Sequence, residues 1–250
     1  MIFMPRLSLY VSRSSWVATD GRGGVVARSE RAFEIADGAW KEVSTAIHEA
    51  AGRVRLQVMV SASLCRHRVS PWISANSTPA AMRAQIEFEH AEEGVVSGKT
   101  HRIEIAWPSY GASAVSVAYP LDLVDALMAA LNSDGHRLSS VESSAAAVLR
   151  ALSGNFPESA MLLAYAEGDG ISAIHVENDH VAGFETLLPA GDGYDGILAW
   201  CRRQQCRFER DSQLYWLATT PRPDFFPGDE LSPGKLGIDA GLNPLMRDLA

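Results

Sequence analysis

No apolar run in this chain approaches the roughly 20 residues that a helix needs to cross a bilayer. Residues 1–11 also lack the apolar h-region and the small-residue cleavage site of a secretory leader. A cytoplasmic protein that does not itself insert into a membrane is therefore expected. Cysteine is scarce: Cys65, Cys201 and Cys206 form an odd set without metal-finger spacing, expected to be reduced thiols acting as small buried hydrophobes. A basic surplus is missing too. The net charge of −8 excludes the positive footprint of a nucleic-acid binder and leaves a neutral or basic partner as the easier fit. What remains is a globular chain of 250 residues, long enough for one large domain or two lobes.

The order of elements is more informative. Residues 7–11, 15–19 and 25–35 read as three consecutive strands, with Asp20, Gly21, Arg22, Gly23 and Gly24 as a turn. Asp37 is placed to cap a helix in which Trp40, Val43, Ile47 and Ala51 share one face and Gly52 ends the pattern. Val54, Leu56, Val58 and Val60 then alternate with Arg55, Gln57 and Met59, the period of a strand with one buried face. Thr78 and Pro79 mark the start of a second helix through Met82 and Ile86 to a stop near Gly94. Two alternating segments follow, around Ile103 and Val117, then an amphipathic helix from Leu121 to Leu131. A short strand at residues 138–141 leads into an alanine-rich helix over residues 143–152.

Beyond Gly154, Asn155, Phe156 and Pro157 the opening pattern returns: strands at 161–166, 171–176 and 181–188, a helix capped by Asp192 or Asp195, and a strand at 214–218. The expected architecture is α/β, with two lobes that each carry a mixed sheet in βββαβ order. Residues 1–137 form the first lobe, 138–220 a smaller second lobe and 221–250 a Pro- and Gly-rich C-terminal segment.

Two successive βββαβ units resemble the actin-like, ribonuclease-H-like ATPase superfamily. Within it the chain is similar to the cytoplasmic platform proteins of type IV pili and type II secretion, the PilM and GspL type. The run Leu7, Ser8, Leu9, Tyr10, Val11, Ser12 stands where that family has a Gly-Ile-Asp-Ile-Gly-Ser-like strand and turn. Val141, Glu142 and Ser143, followed by Ala145, Ala146 and Ala147, look like its Val-Glu-Pro and alanine-rich helix. Ala240, Gly241 and Leu242 resemble its closing motif more faintly. The family's pilus members are longer, which implies that part of a second-lobe insertion is missing here.

The resemblance implies three nucleotide elements, and each is altered. An Asp-x-Gly needs a small residue so that backbone can approach a phosphate. Tyr10 and Ser12 replace it in the first lobe, Tyr165 and Glu167 in the second, and Thr219 and Thr220 stand where an adenosine-side Gly-Gly belongs. No cofactor or metal is expected. Gly168, Asp169 and Gly170 read as a hairpin turn rather than an anion cradle, and 236–241 as a closing turn. Cys65 and His67 lack a third, orienting group for nucleophilic catalysis. Asp192 and Asp195 lack the oxygen spacing of a calcium loop.

Trp72 and Trp107 are candidate partner-docking anchors, and they and Trp200 are also candidates for core packing. The resemblance therefore implies a non-catalytic adaptor. Its partner would be an inner-membrane pilus or secretion platform protein, bound through a short cytoplasmic segment, so that the adaptor lies peripherally at the inner membrane. The rivals are an ATP-binding phosphotransferase or ATPase with a rebuilt site, which would have to use Asp169 or Asp239, and a homodimeric scaffold.

Overall fold

Leu7, Leu9 and Val11 lie on one face of β1 (Arg6–Val11) and are buried in the first core, whereas Tyr10 between them is buried on the other face. The same alternation recurs in β4 (Arg55–Val60), which pairs parallel with β1. The computed structural model describes residues 4–29, 38–73, 78–109, 111–152, 160–167, 169–178, 180–188, 196–207, 213–218 and 229–230. β2 (Trp16–Asp20) and β3 (Val25–Arg28) continue the sheet antiparallel, and β8 (Arg137–Ser143) pairs parallel with β4, giving the order β3-β2-β1-β4-β8. Helices α1 (Ala39–Ala51) and α3 (Leu121–Ser133) cover its outer face through Trp40, Val43, Ile47, Leu123, Leu127 and Leu131.

The second sheet repeats this order. β9 (Met161–Glu167), β10 (Gly170–Glu177), β11 (His180–Leu187), β12 (Gln213–Ala218) and β13 (Asp229–Glu230) pair as β11-β10-β9-β12-β13. The first two pairings are antiparallel and the last two parallel. Helix α5 (Ile197–Arg207) packs outside it through Ile197, Trp200 and Cys201, against Leu162, Ala164 and Trp216.

Between the sheets runs α4 (Ser144–Leu152). Its Ala147 packs with Tyr10, Val17 and Met59 of the first sheet, and its Ala145, Val148 and Leu152 pack with Met161, Leu163 and Tyr165 of the second. Alanine suits both demands at once, being the best helix former and small enough to let two sheets close on one helix.

An additional unit interrupts the first lobe between β4 and α3. A 3-10 turn (Ala62–Leu64) leads to β5 (Arg66–Ser70), α2 (Pro79–Glu92), β6 (His101–Ala106) and β7 (Ala114–Pro120). The strands form an antiparallel sheet in the order β5-β7-β6. Thr78 Oγ1 accepts from Ala81 N at 3.2 Å and Pro79 opens the helix, as its sequence predicts. Met82 and Ile86 bury the helix on that sheet, with half-buried Trp72 packed beside them.

Three expectations need correction. The lobe boundary placed after residue 137 falls at the first residue of β8, which bonds to β4, so that strand belongs with the first lobe. The C-terminal segment 221–250 contributes β13 to the second sheet, because Tyr215 and Trp216 offer it a parallel edge. Cys206 is exposed, unlike buried Cys65 and Cys201, since it lies on the outward face of α5. The expected caps Asp37, Asp192 and Asp195 and the hinge at 154–157 lie outside the described residues.

Candidate functional site at the junction of the lobes

The turn after β1 and the turn after β9 are bonded to each other. Ser12 organises the first: its N–H donates to Ser15 O at 2.8 Å, and its Oγ accepts from Ser14 N at 3.3 Å and Ser15 N at 3.0 Å. One amide in that turn is left, Arg13 N–H, and it donates to Asp169 Oδ2 at 2.7 Å across the lobes. Every amide from Ser12 to Ser15 is thereby used.

The 3-10 turn adds more donors. Ser61 Oγ donates to Asp169 Oδ1 at 2.7 Å and Ser63 Oγ to Asp169 Oδ2 at 2.6 Å, while Arg13 Nη2 reaches Ser63 O at 2.9 Å. A Cβ placed on Gly170 would lie 3.3 Å from Ser63 Cβ and 3.4 Å from Leu187 O, so glycine is what lets the second-lobe turn come this close.

Glu167 is the deeper member, only 6% exposed. Its Oε1 accepts from Tyr10 Oη at 2.8 Å and from Ser144 Oγ at 2.6 Å, and its Oε2 accepts from Ala62 N at 2.9 Å. Burial pushes its carboxyl up to about 7, against the three hydrogen bonds that favour the ionised form. Tyr10 and Tyr165 are also buried, and burial followed by the charge of Glu167 raises both phenols well above the usual tyrosine range. Both remain neutral donors at physiological pH.

The arrangement is one-sided. Six donors (Tyr10, Arg13, Ser61, Ala62, Ser63 and Ser144) come from β1 and the turn after it, the 3-10 turn with its cap, and the start of α4. Tyr165 of β9 adds a bond to Glu167, and both acceptors come from β9 and the turn after it. These residues do not fit a nucleoside triphosphate with its metal. The amides and hydroxyls facing the junction are already used by protein oxygens, and an added anion would lie beside the carboxyl groups of Glu167 and Asp169. Among the described residues no group of three or more His, Cys, Asp or Glu side chains is placed to hold a metal ion.

The structure thus brings Tyr10, Ser12, Tyr165 and Glu167 into one junction, while Thr219, Thr220 and Asp239 lie outside the described residues. Asp169 turns its carboxylate, rather than turn amides, toward the first lobe. Reading the sequence missed Arg13, Ser61 and Ser63; the only signal for the serines was a small polar pair just past a buried strand. Trp107 is 49% exposed, with the Arg83 guanidinium 5.8 Å from its ring, whereas Trp72 and Trp200 are largely packed. Cys65 and His67 form no catalytic pair: burial drives the thiol up and the imidazole down to about 3.

No protein-family model and no curated protein sequence matches the chain. Solved structures do. A chain of the PilM-PilN type IV pilus biogenesis complex matches with a TM-score of 0.65 at 14% identity, over 97% of this chain and 98% of that one. A Bacteroides thetaiotaomicron protein with actin-like ATPase fold and unknown function matches with a TM-score of 0.59 at 11% identity, over 97% and 95%. The cytoplasmic domain of EpsL, an inner membrane component of the type II secretion system of Vibrio cholerae, gives 0.55 at 12%, over 97% and 93%. Matching over almost its whole length at such low identity, the chain shares its fold with these proteins, and that fold is the actin-like ATPase fold.

Proposed function

We propose that this protein is a non-catalytic adaptor of a type IV pilus or type II secretion platform, and that it binds a short cytoplasmic segment of an inner-membrane protein. The observation that carries the reading is the filled junction. Where a nucleotide-using member of the fold needs open phosphate turns, Glu167 and Asp169 join the lobes by six hydrogen bonds to protein donors. A fold held shut in this way offers surfaces rather than chemistry. Support for the setting comes from the fold shared with the EpsL cytoplasmic domain and the PilM-PilN complex. Among the described residues no helix is long and apolar enough to cross a membrane, so attachment would run through the partner.

Two measurements test this. Calorimetry with magnesium-ATP is expected to show no binding; micromolar binding that is lost in Asp169→Ala would establish the rival phosphotransferase or ATPase. The cytoplasmic segment of an inner-membrane platform protein encoded beside this one, made as a peptide, is expected to bind the purified chain. Absence of binding would remove the adaptor assignment and leave the fold intact.

A further inference from the structure

The two most exposed large apolar side chains among the described residues border one helix. Phe88 of α2 is 65% exposed, and Trp107, 49% exposed, has the Arg83 guanidinium of α2 at 5.8 Å from its ring. With about 3.6 residues per turn, Met82, Ile86 and His90 fall on the side of α2 that is buried on the β5-β7-β6 sheet. Ala80, Ala84, Phe88 and Ala91 fall on the opposite side, and all four are exposed. The helix is thus apolar on both faces, and among the described residues only one of them is covered. Alanine suits any exposed helix. A phenylalanine at the centre of that face does not, because it leaves in water an apolar area that burial would recover.

The charges beside this face run against the helix's own preferences. The first turn of α2 holds no acidic residue, and its last residue is Glu92, where the macrodipole disfavours an anion. Glu92 is exposed and makes no ion pair among the described residues. Arg83 precedes Glu87 by one turn at 3.7 Å, the less favourable order for such a pair, with both side chains reached by solvent. A second copy of α2 laid antiparallel across the first reverses each of these. With the two 14-residue helices centred on each other about a two-fold axis, Phe88 meets Ala84 of the second copy and Ala80 meets Ala91. Large then faces small, and the axes can close to about 8 Å. Arg83 faces Glu87 of the second copy, and Glu92 lies beside that copy's first turn, where free helix N–H groups point. A parallel pair would instead set Phe88 on Phe88 and gather the glutamates at one end.

We infer that the outer face of α2 docks a second copy of this chain, the two helices antiparallel, with Phe88 as the anchor and Arg83 paired to Glu87 across the interface. Trp107, beside Arg83, shields the rim of those pairs. A helix of 14 residues is about 21 Å long and offers less than a standard interface, so the dimer is a weak one, with a dissociation constant of about 10 µM. The inference goes beyond the adaptor reading and rests on no part of it.

Sedimentation equilibrium of the full chain over roughly 1–200 µM is the test, and wild type is expected to show monomer and dimer in exchange. Phe88→Glu is expected to weaken the dimer about a hundredfold, because each of the two copies loses an anchor worth about tenfold. An unchanged urea midpoint in that variant shows that the fold is intact. Arg83→Glu and Glu87→Arg are each expected to weaken self-association about tenfold, since like charges then face each other. An equimolar mixture of these two variants is expected to associate again, as unlike charges meet across the interface; damage to the fold would not be repaired by mixing. A wild type that stays monomeric, a Phe88→Glu variant that dimerises as wild type does, or a mixture that stays apart overturns the inference. A monomeric wild type whose binding of the inner-membrane segment is lost in Phe88→Glu would give this face to that segment instead. A dimer that forms while the segment binds nowhere leaves this inference standing and removes the adaptor reading.

Discussion

Glu167→Gln removes a charge from the lobe junction while keeping its shape. Glutamine can turn its oxygen to Ala62 N–H and its amide to the hydroxyls of Tyr10 and Ser144, which rotate to accept. In the wild type, burial lifts the Glu167 carboxyl from its ordinary 4.5 to about 7. The folded protein therefore holds this proton more tightly than the unfolded chain does. Between these two values the folded state binds more protons, so stability falls as pH rises through the window. The contribution is complete below 4.5 and gone above 7, and its size is about 3 kcal/mol at about 1.4 kcal/mol per pH unit.

The histidines work in the opposite direction. His67, His90, His101 and His136 all sit below their usual range, chiefly through burial, so their contribution is present above 6.5 and lost as pH falls. They are the same in both proteins and cancel in the difference. Urea unfolding of wild type and Glu167→Gln from pH 5 to 8 is the assay. The wild type should lose about 2.5 kcal/mol relative to the variant across that range, the remainder having been lost below pH 5. A gap that stays constant, or that favours the wild type as pH rises, would refute the account of Glu167 as a carboxylate buried at a cost.

Two further substitutions address the same region. Tyr10→Phe removes one donor to Glu167 and is expected to cost about 1–2 kcal/mol in urea unfolding; because that hydrogen bond holds the Glu167 carboxyl down, the pH window of the wild type should also move upward. Ala145→Leu, on the helix between the sheets, is expected to cost about 1–3 kcal/mol by overpacking against the second sheet. An unchanged unfolding midpoint would mean that the sheets do not close on α4 as described.

The strands of both sheets except β13 were legible because alternation with period 2 fixes which face is buried, as Leu7, Leu9 and Val11 show. β5 was not legible as a strand, because its run Arg66, His67, Arg68, Val69, Ser70 holds a single aliphatic residue and so no alternating apolar face. The alanine-rich run at 145–147 read as a helix, but its reason, two sheets closing on one helix, depends on contacts remote in sequence. The junction was legible by what it lacked. Tyr10 and Glu167 stood out as misfits for a phosphate turn, yet their bond to each other spans 157 residues, and no local pattern encodes it. Ser61 and Ser63 carry only the weak signal of a small polar pair just past a buried strand. Physically, the absence and the bond are one fact. First-lobe amides and hydroxyls that face inward must be satisfied once buried, and a ligand phosphate or a carboxylate from the opposite lobe can do it. Here Glu167 and Asp169 accept from six such donors across 157 to 23 residues of chain, and that remoteness is why the site had no local signature.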